Sequence, residues 1–232
     1  MKIHQVAQGS LDWYRLRQGI PTSSNFDKII TPTGKPSAQG VKYQYRLIAE
    51  RLLMESMDDQ LAGVRWMEHG KEEEPNAVAQ FQLVNDVELV DVGFITTDDG
   101  RLGCSPDRLI KDHHESVEIK CPAPWTQIGY LLDGPGNDYR PQVQGHLYVG
   151  GFECAHFYAY HRRMPALHIE TLPDQGYLRL MHDFLQQFLD ELDARTERAR
   201  ALGAYVVLPE QTPLERAYPD AEPDPLQIVI PE

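Results

Sequence analysis

Residues 117–121 read Val117-Glu118-Ile119-Lys120-Cys121, and Pro122 and Pro124 follow at once. An apolar stretch closed by proline is a strand that stops there, because proline cannot donate to a sheet ladder. Side chains two apart on a strand share a face, so Glu118 and Lys120 project the same way. Charge buried in an apolar strand is costly unless each group has a partner. A preceding strand candidate, 101–111, carries Asp107 behind Gly103-Cys104-Ser105-Pro106, and a polar turn around Asp112-His113-His114 leads into the next, 115–121. A short hairpin of this kind can set Asp107 beside Glu118 and gather two carboxylates and an ammonium round one point. Mg²⁺ takes oxygen ligands and keeps several waters, so one or two carboxylates plus a substrate phosphate make a site for it. Such an ion polarises a phosphate and lowers the pKa of a water. Lys120 could orient that water and oppose the charge that builds on the phosphorus oxygens. On these residues alone, a solvated hairpin with an ordinary Glu/Lys pair is the competing reading.

The flanking pattern is that of an α/β protein with a central mixed sheet flanked by helices. Thr22-Ser23-Ser24 makes an N-cap cluster before Phe26, Ile29 and Ile30. Tyr45, Leu47, Ile48, Leu52 and Leu53 mark an amphipathic helix, and 66–84 reads as a second long one. Val87 to Ile95 alternates as one strand, with a turn at Asp98-Asp99-Gly100. A helix to Leu132, a loop over 133–138 and a helix over 139–149 follow, then strands at 153–162 and 167–172. Leu178, Met181, Leu185, Phe188, Leu189 and Leu192 keep helical spacing through the last helix. At 232 residues the chain holds one sizeable core, so a single catalytic domain is expected over 1–204. From Tyr205 to Glu232, Pro209, Pro213, Pro219, Pro223, Pro225 and Pro231 break regular structure and leave an acidic, extended tail or an arm for a neighbouring subunit.

Composition removes several classes. No apolar run suits a membrane span, and no apolar signal segment opens the chain. Three cysteines without Cys-x-x-Cys spacing suggest neither a disulfide framework nor a structural zinc site, which fits a reducing cytoplasm. His113, His114, His146, His156, His161 and His168 show no metal spacing and read as surface or core histidines. A Ser-His-Asp pattern and a phosphate-binding glycine loop are both missing. The net charge of −13 opposes nucleic-acid binding. It is uneven, however: Arg15, Arg17, Lys28, Lys35, Lys42, Arg46 and Arg51 concentrate positive charge within 11–51.

Five blocks in order then carry a resemblance: Gln8-Gly9-Ser10-Leu11-Asp12-Trp13-Tyr14-Arg15-Leu16-Arg17-Gln18-Gly19 with Thr22-Ser23-Ser24; His69-Gly70-Lys71-Glu72-Glu73-Glu74-Pro75-Asn76-Ala77; Cys104-Ser105-Pro106-Asp107; Glu118-Ile119-Lys120-Cys121-Pro122; and Tyr139-Arg140-Pro141-Gln142-Val143-Gln144. Over roughly residues 8–200 the chain resembles the phage lambda exonuclease-like family of viral recombination nucleases, within the PD-(D/E)xK superfamily. The resemblance implies a restriction-endonuclease-like core and a Mg²⁺-dependent 5′→3′ exonuclease. Its substrate would be linear double-stranded DNA, cut to 5′-phosphomononucleotides. It implies Asp107, Glu118 and the Ile119 carbonyl as metal ligands, with two ions expected and Mn²⁺ able to substitute. Lys120 would position the attacking water. Glu74 would reach a water on the metal or the second ion, leaving Glu72 and Glu73 solvated, and Gln142 would orient the site. Arg17, Ser24 and Ser105 would hold a terminal 5′-phosphate, with Trp13 anchoring the Arg17 segment. A homotrimeric ring on the DNA, a single-strand annealing recombinase partner and a bacterial host cytoplasm complete the implied setting. Two departures stand out: Arg108 follows Asp107 where glycine is usual, and the four cysteines of iron–sulfur relatives are lacking. An endonuclease on the same fold, and a non-catalytic acidic protein that mimics DNA, are the rival readings.

Overall fold

In the computed structural model residues 1–57 and 65–203 are described, with side chains for 1–57 and 72–203, so the expected tail 205–232 lies outside the described residues. The helices are α1 (Leu11–Arg17), α2 (Gly40–Leu53), α3 (Arg65–Asn85), α4 (Pro124–Asp133), α5 (Arg140–Gly150) and α6 (Gln175–Ala201), with a short 3-10 helix over Ser23–Lys28. The strands are β1 (Lys2–His4), β2 (Leu89–Val90), β3 (Phe94–Thr96), β4 (Gly103–Cys104), β5 (Arg108–Ile110), β6 (Glu115–Lys120), β7 (Cys154–Ala159) and β8 (Leu167–Thr171). A five-stranded sheet runs in the order β2-β5-β6-β7-β8, and a three-stranded one in the order β1-β3-β4. In the larger sheet β6 and β7 are parallel, with Glu118 opposite Phe157 and Lys120 opposite Ala159, and the other pairings are antiparallel. This is the expected mixed α/β sheet.

Alternate residues of β6 serve two layers. Val117 and Ile119 pack with Ala77 and Phe81 of α3 and Tyr158 of β7. Glu118 faces the other way, toward Gln142 and His146 of α5. Behind α5 lies the larger core, where Phe26, Tyr43, Leu47, Val143, Leu147, Met181, Leu185 and Leu189 join α2, α5, α6 and the 3-10 helix. Among the described residues no helix is long and apolar enough to cross a membrane.

The structure corrects several expectations. The single strand over Val87–Ile95 is two: β2 joins β5, while β3 joins β1 and β4. The switch falls at Gly93, where a Cβ would lie 2.3 Å from the Val6 carbonyl oxygen and 2.4 Å from that of His4. The stretch 101–111 also divides, into β4 and β5, because Pro106 has no N–H for a ladder. Tyr45 lies outward on α2, and Tyr43 takes the core position instead. Thr22 does precede a helical segment, but its side chain makes no cap bond, and Ser24 lies inside the six-residue 3-10 helix.

Close approach of α5 to the 3-10 helix depends on Gly145, where a Cβ would fall 2.7 Å from the Phe26 ring and 2.9 Å from Ser23 Cβ. Alanine there gains about 1 kcal/mol of helix propensity, but overpacking of a filled core costs about 1–3 kcal/mol. Gly145→Ala should therefore lower stability on balance, with the urea midpoint moving down; an unchanged midpoint would show that the interface yields.

Candidate active site

The turn that follows β4 and the end of β6 bring the predicted charges together. Asp107 Oδ2 accepts a hydrogen bond from the Ile119 N–H at 2.7 Å, which fixes its carboxylate against β6. Glu118 is only 3% exposed. Its Oε1 accepts from Lys120 Nζ at 2.5 Å and from Gln142 Nε2 at 2.7 Å. Its Oε2 is buried without a hydrogen-bond partner, and His146 Nε2 stands 3.8 Å away. Lys120 Nζ also lies 5.6 Å from the centre of the Tyr139 ring. Sequence reading placed Gln142 here but passed over His146, whose signal was available: four residues on from Gln142, it shares that face of α5.

The electrostatics follow from this crowding. Burial, and then the Glu118 charge, push the Asp107 carboxyl up to about 8, against the opposing pull of Lys120 and the Ile119 N–H. Burial disfavours the Lys120 ammonium, but the Glu118 and Asp107 carboxylates outweigh it and hold the group above the usual lysine range. His146, wholly buried, is held below the usual imidazole range by desolvation, which the Glu118 charge only partly opposes. Two carboxylates converging at one point, one with an unsatisfied buried oxygen, form a donor set that fits a divalent cation of the Mg²⁺ class. Asp107 and Glu118 would supply the side-chain oxygens.

Glu74 faces this group across a cleft of about 920 Å³, lined among others by Gln8, Trp13, Glu74, Asp107 and Arg108. Its Oε1 is 3.0 Å from Arg108 Nη2, while Arg108 Nε is 3.1 Å from Asp91 Oδ1 and Nη1 donates to the Asp107 carbonyl at 2.6 Å. The arginine found where glycine is usual thus braces the turn and holds Glu74. Glu73 corrects the expectation of a solvated residue: it is buried, with Oε1 3.5 Å from Arg162 Nη1 and Oε2 accepting from Asn76. Of that pair, Glu74 is the one that faces Asp107.

A second cluster of polar side chains adjoins the cleft through Trp13, which lines it. Arg17 is buried, and its guanidinium carbon lies 4.1 Å from the centre of the Trp13 ring. Its Nη1 donates to Ser105 Oγ at 3.4 Å, and its Nη2 to Thr22 Oγ1 at 3.4 Å and Ser24 Oγ at 3.3 Å. Trp13 Nε1 donates to Ser105 Oγ at 3.0 Å. Arg17, Ser24 and Ser105, far apart in sequence, therefore meet, and Trp13 does anchor the arginine. Thr22, read from the sequence as a cap, is a fourth member of the group. Gln8 pins the outer wall by donating to the Val92 and Pro106 carbonyls at 2.9 and 2.7 Å.

Comparison with known proteins identifies the family and the fold. The family described as the YqaJ-like viral recombinase domain matches residues 12–153. A crystal structure of an alkaline exonuclease from Laribacter hongkongensis is similar, at 27% identity and a TM-score of 0.74, over 84% of this chain and 98% of that one. The same enzyme in complex with dAMP aligns equally well. A phage-related exonuclease from Haemophilus somnus 129PT, at 13% identity and a TM-score of 0.54 over 76% of this chain and 96% of that one, shares the fold. No curated protein matches the chain. The core is of the restriction-endonuclease-like kind, and the family match spans more than half of the sequence. The chain belongs to the YqaJ-like viral recombinase domain family, among the lambda exonuclease-like proteins.

Proposed function

We propose that this protein is a Mg²⁺-dependent exonuclease that digests linear double-stranded DNA 5′→3′ and leaves a single strand for recombination. The observation that carries the reading is the meeting of Asp107, Glu118 and Lys120 at one end of β6, together with the cluster of Arg17, Ser24 and Ser105. The exonucleases of similar structure support the same reading. A bound Mg²⁺ would supply polarisation of the scissile phosphate and a more acidic water. Asp107, Glu118 and the Ile119 carbonyl would hold it, with Glu74 serving a second ion and Mn²⁺ an acceptable substitute. Lys120 holds a proton-rich, positive Nζ beside the reacting phosphate, where it orients water and opposes developing negative charge. Gln142 keeps the Glu118 carboxylate in place through its amide.

Direction comes from the Arg17, Ser24 and Ser105 cluster. A terminal 5′-phosphate carries more charge than an internal diester, and a guanidinium with three hydroxyls around it suits that group. Release of a 5′-phosphomononucleotide leaves a new 5′-phosphate on the shortened strand, ready for the same cluster. A homotrimeric ring would keep the enzyme on its DNA, a single-strand annealing recombinase would take the product, and a host cytoplasm is the fitting location. The domain over 1–204 carries the chemistry, with the tail 205–232 outside it.

Three measurements test this. With Mg²⁺, linear duplex should be degraded while covalently closed duplex persists, and Asp107→Ala should abolish cleavage; cutting of closed circles would instead select an endonuclease, and no cutting of either form the DNA-mimic reading. Native enzyme should prefer 5′-phosphate ends to 5′-hydroxyl ends. Arg17→Ala should lose most of that preference, a deficit of about 1.5–3 kcal/mol or one to two powers of ten in rate; equal native rates on both ends would remove this role. The third concerns the metal-free protein. Because Asp107 titrates near 8 when folded, above the usual carboxylate range, its share of stability is full below about pH 4 and is lost as pH rises through 8. In EDTA, native protein should weaken between those values. Asp107→Asn should flatten the slope and be more stable at pH 8 by about 1 kcal/mol or more; urea melts showing native protein equal or superior there would contradict it.

A further inference from the structure

A second group of metal-ligating side chains occupies the opposite face of the larger sheet. β7 directs His156 toward α3, where the Phe81 ring meets it edge-on at 5.8 Å between centroids. His156 is buried. Its Nε2 is 2.7 Å from Glu115 Oε2 on β6, and its Nδ1 is 2.9 Å from His168 Nε2 on β8. Glu170 stands opposite His156 in the ladder. One ligand atom each from His156, His168 and Glu170 lie within 4.8 Å of one another. The two histidines are 12 apart in sequence, and the β7–β8 pairing brings them together, so no motif spacing announces them.

The carboxylate of Glu115 fixes the tautomer. It holds the His156 proton on Nε2, which leaves a lone pair on Nδ1 aimed at His168 Nε2. Something positive must lie between these two nitrogens, either the proton of His168 or a cation. Burial, then the neighbouring His156, hold His168 below the usual imidazole range. A histidine that ligates through one nitrogen and gives its other N–H to a carboxylate is the usual arrangement behind a metal. Two imidazoles and a carboxylate suit Zn²⁺, whereas Mg²⁺ prefers an all-oxygen set.

We propose that His156 Nδ1, His168 Nε2 and the Glu170 carboxylate bind one Zn²⁺, with Glu115 as the carboxylate that orients His156. A tetrahedral ion with Zn–N near 2.0–2.1 Å separates two ligand nitrogens by about 3.3 Å, so the rings need to part by only a few tenths of an ångström from 2.9 Å. Glu170 is exposed and free to swing inward. Three protein ligands leave the fourth position to water. Cys154 Sγ lies within 4.8 Å of the Glu115 and His156 ligand atoms but is not grouped with those of His168 and Glu170, so it stays outside the set. The site is separate from the proposed Mg²⁺ centre: it uses the α3 face and the Glu115 end of β6, while Glu118 projects to the other face. An ion there would clamp β8, an edge strand of its sheet, to β7.

The test uses full-length protein stripped with EDTA and then saturated with Mg²⁺. Equilibrium dialysis against Zn²⁺, with metal analysis, should find one Zn²⁺ per chain, and the melting temperature should rise by several degrees. His168→Gln and Glu170→Gln should each weaken Zn²⁺ binding at least tenfold, and Glu115→Ala should weaken it by about 10–100-fold. Glu118→Gln should retain the ion. Glu170 is a surface side chain, so its variant tests the site even if His168→Gln folds poorly. Equal Zn²⁺ uptake by native and Glu170→Gln protein, loss of Zn²⁺ in Glu118→Gln, or no Zn²⁺ taken up by native protein would each overturn the proposal; the last would leave a hydrogen-bonded Glu–His–His chain.

Discussion

The Glu118 carboxylate is the constraint on which the rest of the structure turns. It is buried on β6, between a strand partner on one side and α5 on the other. A lone buried carboxylate is costly, and this one is made tolerable by Lys120 from its own strand and by Gln142 from α5. The Gln142 partner is in place because β6 pairs parallel with β7, so that the crossover through α4 and α5 lays α5 over the strand. The same crossover carries Gly145, whose missing Cβ lets α5 settle on Phe26. Position of the charge and packing of the core are thus one problem with one solution. One oxygen, Glu118 Oε2, is left without a hydrogen-bond partner.

The chain's acidity also becomes intelligible locally. Its charge of −13 argues against a nucleic-acid ligand, yet the place proposed for the DNA end is lined by a buried arginine stacked on Trp13 and by hydroxyls of Thr22, Ser24 and Ser105. The buried Cys104 thiol feels both the Arg17 and the Glu118 charges, so the place proposed for the DNA end stands close to the carboxylates. Part of the acidic excess is invested in ion pairs that hold arginines in place: Arg108 between Glu74 and Asp91, and Arg51 and Arg101 on Asp193. Net charge therefore says little about what one cleft binds.

How much was legible in the sequence follows from the range of each interaction. The β6 strand, the long helices and the trio Asp107, Glu118 and Lys120 were readable because period, proline and spacing are local signals. The splitting of 87–95 was not, since it depends on the distant backbone of His4 and Val6 crossing at Gly93. Thr22 looked like a cap because its neighbours suit one, and only the fold reveals Arg17 as its partner. Glu73 read as solvated until α3 packed it near Arg162. His156 and His168 carried no motif, because a strand pairing rather than a spacing unites them. Arg17, Ser24 and Ser105 were named by resemblance, and their meeting in three dimensions is what residue patterns alone could not have indicated.

The central proposal is that Asp107 and Glu118 together hold a divalent cation. Melting temperature measured as Mg²⁺ is added to EDTA-stripped protein, in native and Glu118→Gln forms, tests it most directly. A ligand that binds only the folded state raises stability with its concentration. The account predicts a saturable rise for native protein and little or none for Glu118→Gln. An equal rise in both forms, or none in the native protein, would contradict it.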